Sequence, residues 1–192
     1  VVEKEIIACR TIADKLKQHL GQNGAFLLRD SMIPRVQKVV CGPKGPNTEF
    51  VGKDASYILK AAGVDVSGDP RIIVPEVDEK HAFVQMELLM PVIPLVRVDS
   101  PEEGIQMSKR VEHGFRHTAV IHSTNIDNMH LMAREMDCSI FVKNAPSYAG
   151  MGFGGEGYAS FTIASPTGEG LTNARHFSRE RRCTLKDYFR IV

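Results

Sequence analysis

Between residues 71 and 143, short apolar runs rich in β-branched side chains alternate with stretches whose apolar residues recur at helical spacing, and this alternation constrains the fold more than any other feature. Residues 71–75 (RIIVP) and 92–98 (VIPLVRV) read as buried strands; Pro94, which cannot donate to a ladder, predicts an edge position or a bulge in the second. Ser100, Pro101 and Glu103 supply an N-cap, a first-turn proline and a capping-box acid for a helix that runs to about His113 and stops at Gly114. Residues 118–122 form a short strand, Ile126, Met129, Met132 and Met136 a helical stripe, and residues 139–143 (SIFVK) another strand. The order βαβαβ predicts parallel strands joined by right-handed crossovers, hence an α/β fold whose mostly parallel open sheet lies between flanking helices.

The same grammar begins upstream. Residues 1–8 (VVEKEIIA) read as a strand already under way, with neither an initiator Met nor a turn signal before it, so the chain is expected to be a C-terminal piece of a longer protein. Ile12, Leu16 and Leu20 predict one face of a helix over 11–20, stopped by Gly21. A second helix is expected over 31–40, starting near Pro34, and a third over 53–62 presenting Ala55, Ile58, Leu59 and Ala62 before Gly63. Residues 41–48 read as a Gly/Pro loop. Beyond Asn144 the chain turns to Gly, Ser, Pro and aromatic residues, the composition of a long irregular stretch that carries functional loops. The tail, 174–192, holds an Arg-rich cluster (RERR) and a candidate strand over 183–190.

Charge and cysteine usage exclude several classes. The 24 basic and 23 acidic side chains leave a formal charge of +1, with no basic stripe to track phosphates, so nucleic acid is not an expected partner. No apolar run approaches the roughly 20 residues that span a bilayer, and no secretory leader pattern opens the chain; a soluble, cytoplasmic protein is expected. Cys9, Cys41, Cys138 and Cys183 stand far apart without a CxxC pair, which predicts reduced, mostly buried thiols. His117 and His122, five residues apart on one expected strand, would point to opposite faces, and no metal site is expected.

Gly150, Gly152 and Gly155 satisfy the GxGxxG spacing of a dinucleotide fingerprint. Their context opposes that reading, because NAPSYA intervenes after the strand and residues 158–163 (YASFTI) follow with strand formers where a Rossmann loop would open a helix. A glycine-built wall that lets backbone approach a ligand closely fits better.

The stretch KNAPSYAGMGFGGEGYASFTIASPTGEG resembles the signature of the coenzyme A-acylating aldehyde dehydrogenases of bacterial propanediol and ethanolamine utilisation. VEKEIIA at the start, FVGK at 50–53, ELLMPVIPLVRV at 87–98, VEHGFRHTAVIHS at 111–123 and RRC at 181–183 extend the resemblance over nearly the whole chain, in the family's order. It implies the three-layer catalytic domain of that fold over residues 1–165 and a C-terminal oligomerisation arm over 166–192. It also implies a homo-oligomer, dimer or tetramer, working inside a bacterial microcompartment and in contact with its shell. In the family a thiolate attacks the aldehyde, hydride passes to NAD, and the thioester is handed to coenzyme A; covalent catalysis of this kind splits one hard acyl transfer into two easier steps. The matching cysteine would fall just upstream of Val1, and the oxyanion-hole asparagine further upstream, so this chain alone is expected to be inactive.

The resemblance assigns roles residue by residue. Glu87 matches a glutamate that accepts from the nicotinamide ribose hydroxyls, the alternative being a surface ion pair. His117 matches a histidine suited to take the proton from the coenzyme A thiol, the alternative being a structural histidine satisfied by backbone. Asn144, Ser147, Tyr148 and Phe153 would approach or line the aldehyde pocket, although loop packing also accounts for such aromatics. The family pattern more often has a smaller aliphatic residue at Phe153 and Gly at Ala145, which leaves the size of the aldehyde open. Two other functions compete: a non-catalytic binding or assembly module derived from the same fold, and a non-acylating dehydrogenase that hydrolyses its thioester with water.

Overall fold

The structure is a computed structural model that describes residues 3–154, 162–164, 170–172, 174–184 and 186. Strand β1 (Ile6–Cys9) leads directly into helix α1 (Arg10–Gln22), and β2 (Ala25–Leu28) follows. After a short 3₁₀ turn come α2 (Ile33–Val40), a minimal hairpin of β3 (Cys41–Gly42) and β4 (Gly45–Pro46), and α3 (Ala55–Ala61). The chain continues through β5 (Ile72–Pro75), α4 (Ala82–Gln85), β6 (Leu95–Val98), α5 (Pro101–Val111), β7 (Thr118–Ile121), α6 (Ile126–Met136) and β8 (Ile140–Lys143). A 3₁₀ turn over Ser147–Met151 and the antiparallel pair β9 (Thr162–Ala164) and β10 (Gly170–Thr172) complete the described elements.

The main sheet is parallel. β1 pairs with β6 and β2 with β5, and two parallel bridges, Ile73 to Val92 and Glu76 to Leu95, join the pairs in the order β2-β5-β6-β1. Period-2 alternation sends successive side chains to opposite faces. Ile7, Cys9, Val96 and Val98 meet Met107 and Val111 of α5, whereas Ile6, Ala8 and Leu95 meet Ala13, Leu16 and Leu20 of α1. Phe26, Leu28 and Ile73 pack with α2 and α3 around Ile58, Leu59 and Phe83. Helices thus cover both faces, the expected three-layer α/β arrangement. β7 and β8 form a second parallel pair with α5 and α6 on one side. The Ser147–Met151 turn covers their other side.

Several expectations are corrected. β6 is not an edge, because it is flanked by β1 and by the bridges to β5; Pro94 sits just before the ladder starts and contributes only its carbonyl, which accepts from the Ile6 N–H at 2.8 Å. The strand expected over 1–8 is confined to Ile6–Cys9 among the described residues. β2 was not anticipated, and the expected loop over 41–48 contains the β3–β4 hairpin. On α1 the inward face is Ala13, Leu16 and Leu20, while Ile12 is 53% exposed. On α6, Met132 and Met136 are buried but Ile126 is 77% exposed. Only part of the candidate strand over 183–190 lies within the described residues.

The start of α5 follows the sequence closely. Ser100 Oγ accepts from the Glu103 N–H at 3.1 Å, satisfying an amide the helix leaves open, and Glu103 Oε2 reaches back past the cap to accept from the Asp99 N–H at 2.7 Å. Ser100→Ala is expected to cost about 1 kcal/mol, read as a lower urea midpoint with an unchanged slope.

On the α1 side of the sheet Arg97 is gripped by two carboxylates, Glu76 at 2.5 Å and Asp14 at 2.5 Å, and Lys17 reaches Glu76 at 2.5 Å. Hydrogen bonds from Arg97 hold both carboxyls below their ordinary values of 4.5 and 3.8. A carboxyl depressed on folding contributes stability that is present above its unfolded value and lost as pH falls through its folded one. Glu5 has the opposite sign: burial raises its carboxyl above 4.5, so its contribution fades as pH rises past that value. A fall in stability below about pH 4.5 is therefore expected, and Arg97→Met should flatten it when urea midpoints at pH 5 and pH 3 are compared.

Candidate active site

Three segments carry the residues singled out from the sequence. The first is the turn after α5. His117 is exposed, and its ring Nδ1 lies 2.7 Å from Thr118 Oγ1. If Nδ1 donates in that contact, Nε2 is left as the open acceptor, the tautomer a base requires. The Glu112 carboxylate accepts from two amides of the same turn, Gly114 at 3.0 Å and His117 at 3.3 Å. His113 and Arg116 hold φ of +58° and +52°, left-handed conformations that cost side-chain-bearing residues on the order of 1 kcal/mol each.

The second segment is the extended stretch after α4. Glu87 is exposed and makes no ion pair among the described residues, so both carboxylate oxygens can accept. Leu89, two residues on, has φ +56° and is 53% exposed, and its carbonyl accepts from the Gly52 N–H at 3.3 Å, tying the ELLMP stretch to the FVGK stretch. A shallow depression beside Glu87 is lined by Glu3, Lys4, Leu89 and Met90. With no ion pair among the described residues, the Glu87 carboxylate has the acceptor atoms that a pair of ribose hydroxyls would need.

The third segment is the turn after β8. Asn144, at φ +53°, spends both ends of its side chain on Ser123: Oδ1 accepts from the Ser123 N–H and Nδ2 donates to the Ser123 carbonyl, each at 2.9 Å. It thereby fastens the end of β8 to the end of β7. Ser147 is buried, and its Oγ has no hydrogen-bond partner among the described residues. Tyr148 and Phe153 form an edge-to-face pair with ring centroids 5.4 Å apart and stand 42% and 71% exposed. Gly150 lies inside the Ser147–Met151 turn. Gly155 falls outside the described residues.

The residues that join these segments had not been singled out. Glu3 borders the Glu87 depression and accepts from the Ser147 N–H at 2.9 Å. Lys4 donates to the Val111 carbonyl at the end of α5 at 2.8 Å and stands 3.6 Å from the Glu5 carboxylate. Burial raises the Glu5 carboxyl, the Lys4 charge opposes that rise, and Glu112 adds to it. Glu3 thus holds the Ser147 turn and borders the Glu87 depression together with Lys4, and Lys4 also holds the end of α5 from which the His117 turn departs. The only sequence signal for this was the presence of three charged residues leading into an apolar strand.

The parallel sheet covered by helices on both faces defines the chain as an α/β domain. Residues 68–174 match the aldehyde dehydrogenase family, and the chain belongs to that family. It is 47% identical over 201 residues to an acetaldehyde dehydrogenase (acetylating) of Bilophila wadsworthia, covering 99% of this chain and 42% of that protein. It is 43% identical to a propanal dehydrogenase (CoA-propanoylating) of Salmonella typhimurium, covering 100% of this chain and 41% of that one. Among solved structures it superposes on Rhodopseudomonas palustris propionaldehyde dehydrogenase with bound propionyl-CoA at a TM-score of 0.89, with 49% identity over 95% of this chain and 41% of that one. A propionaldehyde dehydrogenase from the Clostridium phytofermentans fucose utilisation bacterial microcompartment gives a TM-score of 0.89 at 42% identity, over 95% of this chain and 42% of that one. The chain spans about two fifths of the length of these relatives.

Proposed function

We propose that the chain is the catalytic-domain portion of an NAD-dependent, coenzyme A-acylating aldehyde dehydrogenase. The parent protein converts a short aliphatic aldehyde, propionaldehyde or acetaldehyde, to its acyl-CoA through a cysteine thioester. The observation that carries this reading is similarity along essentially the whole chain to acylating enzymes, one of them solved with propionyl-CoA bound.

In this reading the nucleophilic cysteine comes from the part of the parent that precedes Val1, beside the strand that Glu3 and Lys4 tie to the three segments. NAD supplies the hydride acceptor, and Glu87 holds its ribose. The coenzyme A thiol then attacks the thioester; its proton goes to His117 Nε2, the acyl group moves to the coenzyme A sulfur and the cysteine thiolate is released. Asn144 orders the wall from behind, while Ser147, Tyr148 and Phe153 bound the aldehyde. Residues 1–165 form the catalytic domain and 166–192 the arm through which the parent assembles as a dimer or tetramer. The microcompartment relative supports a location inside such a compartment; contact with the compartment's shell belongs to the same proposal.

The test is an assay of the parent protein with propionaldehyde and acetaldehyde. NADH formation at steady state is expected to require coenzyme A and to yield acyl-CoA; turnover that proceeds to free acid without coenzyme A would overturn the assignment.

A further inference from the structure

We propose that Glu112 is a positioning residue for coenzyme A-dependent acyl transfer: its carboxylate clamps the 113–117 turn and so sets where the His117 imidazole stands. This rests on the reading of His117 as the base. Val111, the last residue of α5, is 1% exposed in the core, and the Glu112 N–H still bonds to the Ser108 carbonyl at 3.0 Å, so the backbone that carries the carboxylate is anchored to the helix. From there Oε2 reaches the Gly114 N–H at 3.0 Å and Oε1 the His117 N–H at 3.3 Å. Neither amide donates to a backbone carbonyl among the described residues, so the Glu112 carboxylate is the acceptor each of them has.

The surrounding charges show why the carboxylate is spent on backbone. Arg110 is paired with Glu79 at 2.6 Å, Lys109 with Glu135 at 2.8 Å and Arg116 with Asp137 at 2.6 Å. Each neighbouring cation has another carboxylate, and Glu112 is left to the turn. The turn needs such a clamp, because His113, Gly114 and Arg116 all sit at positive φ. On its far side the turn is pinned by β8, where Arg116 and His117 carbonyls accept from Ser139 at 2.9 Å and Ile140 at 3.1 Å. The His117 backbone is thus gripped at its carbonyl by the sheet and at its amide by Glu112; losing the second grip leaves the ring on a hinge.

The experiment compares Glu112→Ala, Glu112→Gln and His117→Ala in the intact parent enzyme. A first-turnover NADH burst without coenzyme A reports acylation of the cysteine, and steady-state turnover with coenzyme A reports acyl transfer. Glu112→Ala is expected to keep the burst within about twofold while kcat falls about tenfold at nearly constant KM for coenzyme A, the scale of loss that misplacing a reacting group produces. Glu112→Gln, which keeps one acceptor oxygen, should recover part of that loss, and hydrogen exchange across 112–118 should be fastest in the Ala variant. If the Ala variant does not fold, the Gln variant carries the test, with a smaller loss expected in the same step. A burst that falls in parallel with turnover, or turnover that does not change, overturns the proposal. His117→Ala separates the two levels: if it slows acyl transfer while the Glu112 variants do not, only the positioning role is lost, and if it too spares acyl transfer, the His117 reading falls and this inference with it.

Discussion

Gly150→Ala is expected to destabilise the parent enzyme by about 2–3 kcal/mol, as overpacking of a closed core does. A methyl group built on Gly150 would lie 2.3 Å from Ile140 Cγ2 and 2.8 Å from Val142 Cγ2. Both neighbours are β-branched, so their χ1 angles are restricted, and they are only 4% and 6% exposed on β8. Neither can swing aside, and the Ser147–Met151 turn would have to lift from the sheet instead. Lifting it would strain the 2.9 Å bond from the Ser147 N–H to Glu3 and shift the Tyr148–Phe153 pair. The measurement is a urea unfolding series. Combining Gly150→Ala with Ile140→Ala, which removes the nearer clashing carbon, should cost less than the sum of the two single changes. A single-variant loss under about 0.5 kcal/mol, the range of an ordinary surface change, would show that the glycine is not there for this close approach.

That glycine illustrates where the sequence was readable and where it was not. Its spacing with Gly152 and Gly155 advertised phosphate binding, and the NAPSYA insertion and the strand formers around it argued against that; the actual demand, contact with two side chains of β8, is a tertiary fact that no local pattern encodes. Features fixed within one helical turn were legible. The Ser100 and Glu103 caps are an example, and the Ala55, Ile58, Leu59 and Ala62 stripe is 8% exposed or less at every position. β2 was missed because AFLL carries no β-branched residue and is only four residues long, so its strand state is set by pairing with β5. The face of α1 was misjudged by one residue, because periodicity alone does not distinguish Ile12 from Ala13 as the leading contact when Leu16 and Leu20 follow both. The site divides the same way. His117 and Glu87 stood out by resemblance, whereas Glu3 and Glu112 act by side-chain to backbone bonds, one of them across 144 residues of chain, and such bonds leave no periodic trace.

His117→Ala is expected to lower coenzyme A-dependent turnover of the parent enzyme by about 10²–10⁴-fold, the range a positioned general base contributes, while leaving the first-turnover NADH burst in place. The asymmetry follows from the chemistry assigned to the ring. Hydride transfer needs the cysteine and NAD but no proton from coenzyme A, so only the second half of the reaction should be sensitive. The contact with Thr118 sharpens the expectation. With Nδ1 2.7 Å from Thr118 Oγ1, the hydroxyl can accept from Nδ1–H and favour the tautomer whose Nε2 lone pair is free. Thr118→Val keeps the β-branched shape on β7 but removes that acceptor; it should therefore give a smaller loss in the same step, about tenfold, with the burst again retained. Because a thiolate needs no base, raising the pH toward the coenzyme A thiol's own titration should partly restore turnover in His117→Ala. A loss that persists unchanged at high pH, or a burst that collapses along with turnover, would assign His117 to structure and leave the thiol's proton to some other group.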